Sequence, residues 1–118
     1  MEAHDIRAAL SRLSDATAEF ARLDTFNHGG LFLGRFSGRT SWERHLHGDE
    51  LLHILDGEVD ITVLTEGDPV HATLRAGSVF IVPQGLWHRQ LARGPVTMLT
   101  ATPTPTDHSD AEDPRAGG

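Results

Sequence analysis

Residues 42–57 read WERHLHGDELLHILDG, and they hold three of the chain's eight histidines, His45, His47 and His53. If the first part of this stretch is a β-strand, alternate side chains share a face. His45 and His47 then point the same way, with Cα atoms about 6.5–7 Å apart. Two imidazoles at that separation reach one ion over bonds of about 2.0–2.2 Å. Gly48-Asp49 has the composition of a tight turn, after which Glu50 faces back toward His47. In the strand that follows, Glu50, Leu52 and Ile54 fall on one face and Leu51, His53 and Leu55 on the other. A strand apolar on both faces is one buried on both sides. Taken alone, an H-x-H pair is more often a solvated polar face than a metal site.

A second stretch, GSVFIVPQGLWHR at 77–89, changes that balance. Val79 to Val82 read as a buried strand, Pro83-Gln84-Gly85 as a turn, and His88 as an early residue of the next strand. By parity Glu43 shares a face with His45 and His47, and Gln90 with His88. Arg35 is in phase with Leu31 and Leu33, and an inward phase would let it bind a carboxylate.

Outward from these stretches, strands are expected near 31–36, 41–47, 50–56, 58–65, 70–74, 78–82, 86–91 and 95–101. Gly, Pro and Asp punctuate them, and no helix intervenes, the texture of an antiparallel sandwich or barrel. Residues 5–23 place Ile6, Leu10, Leu13, Ala16 or Thr17, and Phe20 at spacings of three and four. That is the stripe of one amphipathic helix, with Asp5 as its N-cap. From Pro103 the chain is rich in Pro, Asp and Gly without apolar period, and a disordered tail is expected. The organisation expected is a helix and linker over 1–28, a β-domain over 29–102 and an acidic tail over 103–118.

Composition narrows the chemistry. The chain of 118 residues is sized for one domain. It contains no Cys, Lys or Tyr, which excludes disulfides, thiol nucleophiles, Schiff-base lysines and phenolic acids. Any polar chemistry falls to His, Asp, Glu, Arg, Ser and Thr, or to a metal they hold. A formal charge of −7 argues against nucleic acid or an anionic membrane as partner. No apolar run is long enough for a membrane helix and no signal-peptide layout opens the chain, so a cytoplasmic location is expected.

The two stretches together resemble the motifs of the cupin family, over roughly residues 29 to 101. The first motif has the shape G-x5-H-x-H-x3-4-E-x6-G, met by His45, His47, Glu50 and Gly57. The second has the shape G-x5-P-x-G-x2-H-x3-N, met by Gly77, Pro83, Gly85 and His88. The chain departs from the pattern in three places. Only two residues separate His47 from Glu50, Arg39 stands where the first Gly is expected, and Ala92 stands where the Asn is expected.

The resemblance implies an all-β, cupin-type jelly-roll β-barrel with one N-terminal α-helix. It implies one divalent metal ion (Fe, Mn, Ni, Zn or Cu) held by His45, His47, Glu50 and His88, with Asp49 as a fallback carboxylate. The expected function is a small metalloenzyme of dioxygenase, isomerase, lyase or decarboxylase type. It would act on a small organic molecule, with Glu50 or Glu43 as general base and Gln90 or Arg35 touching substrate. The alternatives are a non-catalytic binding or sensing domain working through a partner, or a structural barrel with vestigial histidines. A homodimer is expected, because outward apolar residues such as Leu51 and Leu55 need cover.

Overall fold

A computed structural model of the chain describes residues 1–14 and 18–116. One helix, α1 (Ile6–Ser11), precedes β1 (Ala18–Phe26), β2 (Gly29–Arg39), β3 (Trp42–Arg44), β4 (Glu50–Asp56) and β5 (Glu58–Val63). These are followed by β6 (Val70–Arg75), β7 (Val79–Val82), β8 (His88–Pro103) and β9 (Asp107–Ser109). The strands form one curled antiparallel sheet of jelly-roll type.

β8 organises the sheet. Along one edge it pairs with β2, from Gly29↔Pro103 to Arg39↔Leu91. Along the other it pairs with β5, between Asp60↔Leu91 and Val63↔His88, and then with β4, between Leu51↔Ala101 and Asp56↔Thr97. Between these halves the register with β2 slips, so that Arg93, Gly94 and Pro95 stand against Ser37 alone. Pro95 cannot donate to a ladder and Gly94 weakens one, so the strand bends there. On a straight strand His88 and Thr102 would lie roughly 45 Å apart. In the bent one both reach Glu50, with Thr102 Oγ1 donating to Oε2 at 2.6 Å and His88 Nε2 lying 3.2 Å from Oε1. The β4–β5 turn fits against the bend through Gly57, whose φ is +83° and where a Cβ would meet the Pro95 carbonyl oxygen at 2.5 Å.

Two apolar clusters line the two faces. The inner one includes Phe36, Leu52, Ile54, Ile61, Val96 and Met98. The outer one joins Ala9 and Leu13 to Leu33, with Ala21, Leu23, Leu55 and Leu99 packed around them. Burying each large side chain contributes about 1.5–3 kcal/mol, which explains why β4 is apolar on both faces.

The sequence expectations differ from the structure in three segments. The helix ends at Ser11, and Ala18–Phe26 is a strand paired with β2. Asp5 does cap α1, accepting from Ala8 N at 3.0 Å, while Ala16 and Thr17 of the expected stripe lie outside the described residues. The reason is that 18–23 also alternates: Ala21 and Leu23 meet the outer cluster while Phe20 stacks on Phe36 at 6.0 Å. Ladder bonds to the edge of β2 outweigh a weakly nucleated helix. The expected strand over 41–47 stops at Arg44, and Leu46 and His47 form a turn. Beyond Pro103, where a disordered tail is expected, Asp107–Ser109 pairs with β3 through Trp42↔Ser109, Glu43↔His108 and Arg44↔Asp107. Composition misses this because the pairing partner lies some sixty residues away.

Candidate metal centre

The two motif stretches meet because their turns are stitched together. Gly85 N donates to the His45 carbonyl at 2.9 Å, Gln84 N to Asp49 Oδ1 at 2.8 Å, and Gln84 Nε2 to the Leu46 carbonyl at 2.8 Å. Gly85 adopts φ +79°, a conformation that favours glycine and lets the turn close. These bonds hold His45 beside His88, with ring centroids 5.3 Å apart.

Four side chains converge there. Glu43 stands directly opposite His88 in the β3–β8 pair, so both face inward. One ligand atom from each of Glu43, His45 and His88 lies within 4.8 Å of the others. Glu50, the first residue of β4, places Oε1 3.4 Å from His45 Nε2 and 3.2 Å from His88 Nε2. His45, Glu50 and His88 are all buried. Neither Nε2 atom has a hydrogen-bond partner among the described residues. Two buried, unsatisfied imidazole nitrogens aimed past a carboxylate are a costly arrangement that a cation would relieve. The donor set of imidazole and carboxylate fits a first-row divalent ion.

The surroundings fix the ring orientations. His88 Nδ1 lies 3.0 Å from the Leu86 carbonyl, which only accepts, so Nδ1 carries a proton and, in the neutral form of the ring, the Nε2 lone pair turns inward. His45 Nδ1 meets Thr106 Oγ1 at 3.0 Å. Burial alone would raise the Glu50 pKa, but the imidazoles of His45 and His88 hold it down at about 2, so it is a standing anion. Burial opposes charge on His88, and Glu50, the Leu86 carbonyl and Glu43 together outweigh it, raising its pKa. Glu43 moves upward, first through burial and then through the charge of Glu50. It is also the most open member of the group, with 31% of its side chain exposed.

The remaining expected site residues lie elsewhere. His47 is exposed in the turn, beside a groove of about 790 Å³ that Phe26, His28, Asp49, Leu51 and Ile81 also line. The parity that would place it with His45 applies only to extended chain. Asp49 is spent on the Gln84 amide. Arg35 lies on the outer face with Leu33, its Nε donating to Thr97 Oγ1 at 3.4 Å. Gln90 is buried two residues beyond His88, and its Oε1 has no hydrogen-bond partner among the described residues. Thr106, which touches His45, carries no local sequence signal, since it sits in a segment whose composition reads as disordered, and Thr102, which touches Glu50, lies one residue past the last expected strand.

Comparison with known proteins adds to this geometry. The family model for cupins matches residues 10–112. An acireductone dioxygenase from Yarrowia lipolytica is 44% identical over 50 residues, covering 41% of this chain and 29% of that enzyme. The chain therefore matches less than a third of that relative's length. Among solved structures, a cupin superfamily protein from Desulfitobacterium hafniense is similar with a TM-score of 0.68, at 26% identity over 83% of this chain and 87% of that one. A hydroquinone 1,2-dioxygenase solved with Cd2+ and 4-hydroxybenzonitrile is similar with a TM-score of 0.67, at 21% identity over 82% of this chain and 70% of that one.

Proposed function

We infer that this chain, which belongs to the cupin family, is a small metalloenzyme that binds one divalent cation and acts on a small organic molecule beside it. The observation that carries the reading is the pair of buried Nε2 atoms of His45 and His88, without a hydrogen-bond partner among the described residues and converging with Glu43 and Glu50. The names of two similar proteins, both dioxygenases of small molecules, support the substrate class. The reaction belongs to the dioxygenase, isomerase, lyase or decarboxylase types.

His45, His88 and Glu50 would hold the ion, with Glu43 as fourth ligand or as proton carrier. When bound, the cation supplies Lewis acidity. The residues divide the remaining tasks. Glu50, ionised throughout the working range, balances the cation's charge. Glu43, whose carboxyl is pushed up and which lies at the open side, is placed to take a proton from a bound molecule and return it. Gln90 Oε1, without a partner among the described residues, is placed to accept a hydrogen bond from that molecule. The outer face of β4 and β7, where Val79 and Ile81 are 59% and 47% exposed beside Leu51, is the surface on which a second copy would pack.

Elemental analysis of the purified protein tests the reading. About one divalent ion per chain is expected, and much less in His88→Ala. Turnover on a panel of small oxygenated substrates then tests for catalysis, and light scattering on the same sample tests for the dimer. A folded protein that takes up neither Zn, Ni, Mn nor Fe would sink the metal reading. A monomer at micromolar concentration would sink the dimer.

A further inference from the structure

We propose that Thr106 is a positioning residue for the metal centre and that residues 102–109 are a working part of that centre. The inference rests on the metal reading of His45, Glu43, Glu50 and His88. Three of those four side chains have a partner in this one segment. Thr106 Oγ1 lies 3.0 Å from His45 Nδ1, and Thr102 Oγ1 donates to Glu50 Oε2 at 2.6 Å. His108 Nδ1 lies 3.8 Å from Glu43 Oε1, across the β3–β9 pair.

The segment is pinned from outside as well. Arg44 Nε donates to Asp107 at 2.9 Å. Further along, Pro114 is buried and Arg115 donates to the Thr65 carbonyl at 3.0 Å.

A neutral imidazole carries its proton on one nitrogen only, so an inward lone pair on Nε2 requires Nδ1–H and an acceptor for it. His88 has the Leu86 carbonyl in that role. His45 follows Arg44 at the end of β3, and the hydroxyl of Thr106 fills the same role for it. Thr106 accepts from Nδ1–H in the tautomer that turns the His45 Nε2 lone pair inward, and the contact fixes the ring plane. Because the segment and the ion share His45, Glu43 and Glu50, each stabilises the other by the same free energy. Metal binding orders residues 104–109, and loss of the Thr106 contact weakens metal binding.

The test uses the metal-free full-length chain and Zn(II) in competition with a chromophoric chelator. Wild type, Thr106→Val, Thr106→Ser and His88→Ala are compared, and hydrogen exchange at residues 104–109 is read with and without Zn(II). Thr106→Val, which keeps the shape and removes the hydroxyl, is expected to bind about tenfold more weakly. Thr106→Ser restores wild-type affinity. In wild type, Zn(II) slows exchange at 104–109, a readout that needs no variant to fold. Wild-type affinity in Thr106→Val, equal losses in the Val and Ser variants, or exchange indifferent to Zn(II) would each overturn the proposal. If wild type binds Zn(II) no better than His88→Ala, the metal reading itself fails instead.

Discussion

The inner face of the sheet has an apolar middle and a polar end, and the same strands build both. β4 runs from Glu50 to Leu52 and Ile54, and β8 passes from Val96 and Met98 to Thr100 and Thr102, all on one face. Leu52, Ile54, Val96 and Met98 are at most 1% exposed and make an apolar packing that gains from burial. Four residues along β4, Glu50 is 5% exposed and faces two imidazoles whose Nε2 atoms have no hydrogen-bond partner among the described residues. Burial at that end costs stability unless a ligand satisfies it. A fold that concentrates its unsatisfied groups at one end and its close packing at the other separates the source of stability from the candidate metal site.

The contrast can be tested from either end. The largest effect is expected in the apolar middle, where Ile54→Ala or Met98→Ala should cost about 2–5 kcal/mol of unfolding free energy. Denaturant midpoints of the metal-free protein measure it. A cost near zero would mean that the middle is not the main source of stability. Next comes the polar end. His88→Ala should weaken Zn(II) binding by about 100-fold with only modest change in the fold, as read by chelator competition beside circular dichroism.

A smaller effect follows from acidity. The His88 pKa is raised above its ordinary 6.5, so its charged pairing with Glu50 stabilises the metal-free protein below that value. That contribution is lost as pH rises through the raised pKa. The pairing also needs Glu50 ionised, and it fails at the acid end only as pH falls through about 2. Metal binding runs the opposite way, since the ion must displace the His88 proton. Affinity should climb by up to about tenfold per pH unit between pH 6 and the raised His88 pKa, then level off. Titrations at several pH values measure it, and a flat profile would remove His88 from the ligand set. Smallest of all is His47→Ala. Its exposed side chain in the turn predicts wild-type Zn(II) affinity and a stability change within about 0.5 kcal/mol. A loss matching that of His88→Ala would mean the turn rearranges to deliver His47 to the ion.

One parity rule met two different outcomes within ten residues. At 50–54 alternation holds, because Glu50 to His53 pair with β7 and Leu51 to Ile54 pair with β8, and ladders on both sides keep the chain extended. At 45–47 no ladder holds the chain, so it turns and separates His45 from His47. The short step from His47 to Glu50 does not displace the carboxylate, whose place is set by its pairing with Val82. Similarly, Glu43 is legible by its spacing from His45, while Thr102 and Thr106 are not legible at all. Their roles exist only because β8 bends and the chain returns beside β3.

Local pattern was therefore enough for whatever short-range physics controls. That covers the alternation of β4, the glycine turns at Gly57 and Gly85, the family motifs, and the restriction of chemistry to histidine and carboxylate. It was not enough for contacts whose energy comes from distant partners. The turn at 45–49 and the C-terminal strand at 107–109 each take their conformation from a neighbour far along the chain, whereas the strand at 18–26 takes its own from β2, the next strand of its hairpin. Hydrogen-bond ladders and buried polar pairs form between segments that meet only in the folded chain. No window of sequence holds both halves of such a pair, so only the assembled sheet determines which histidine faces inward and what holds it there.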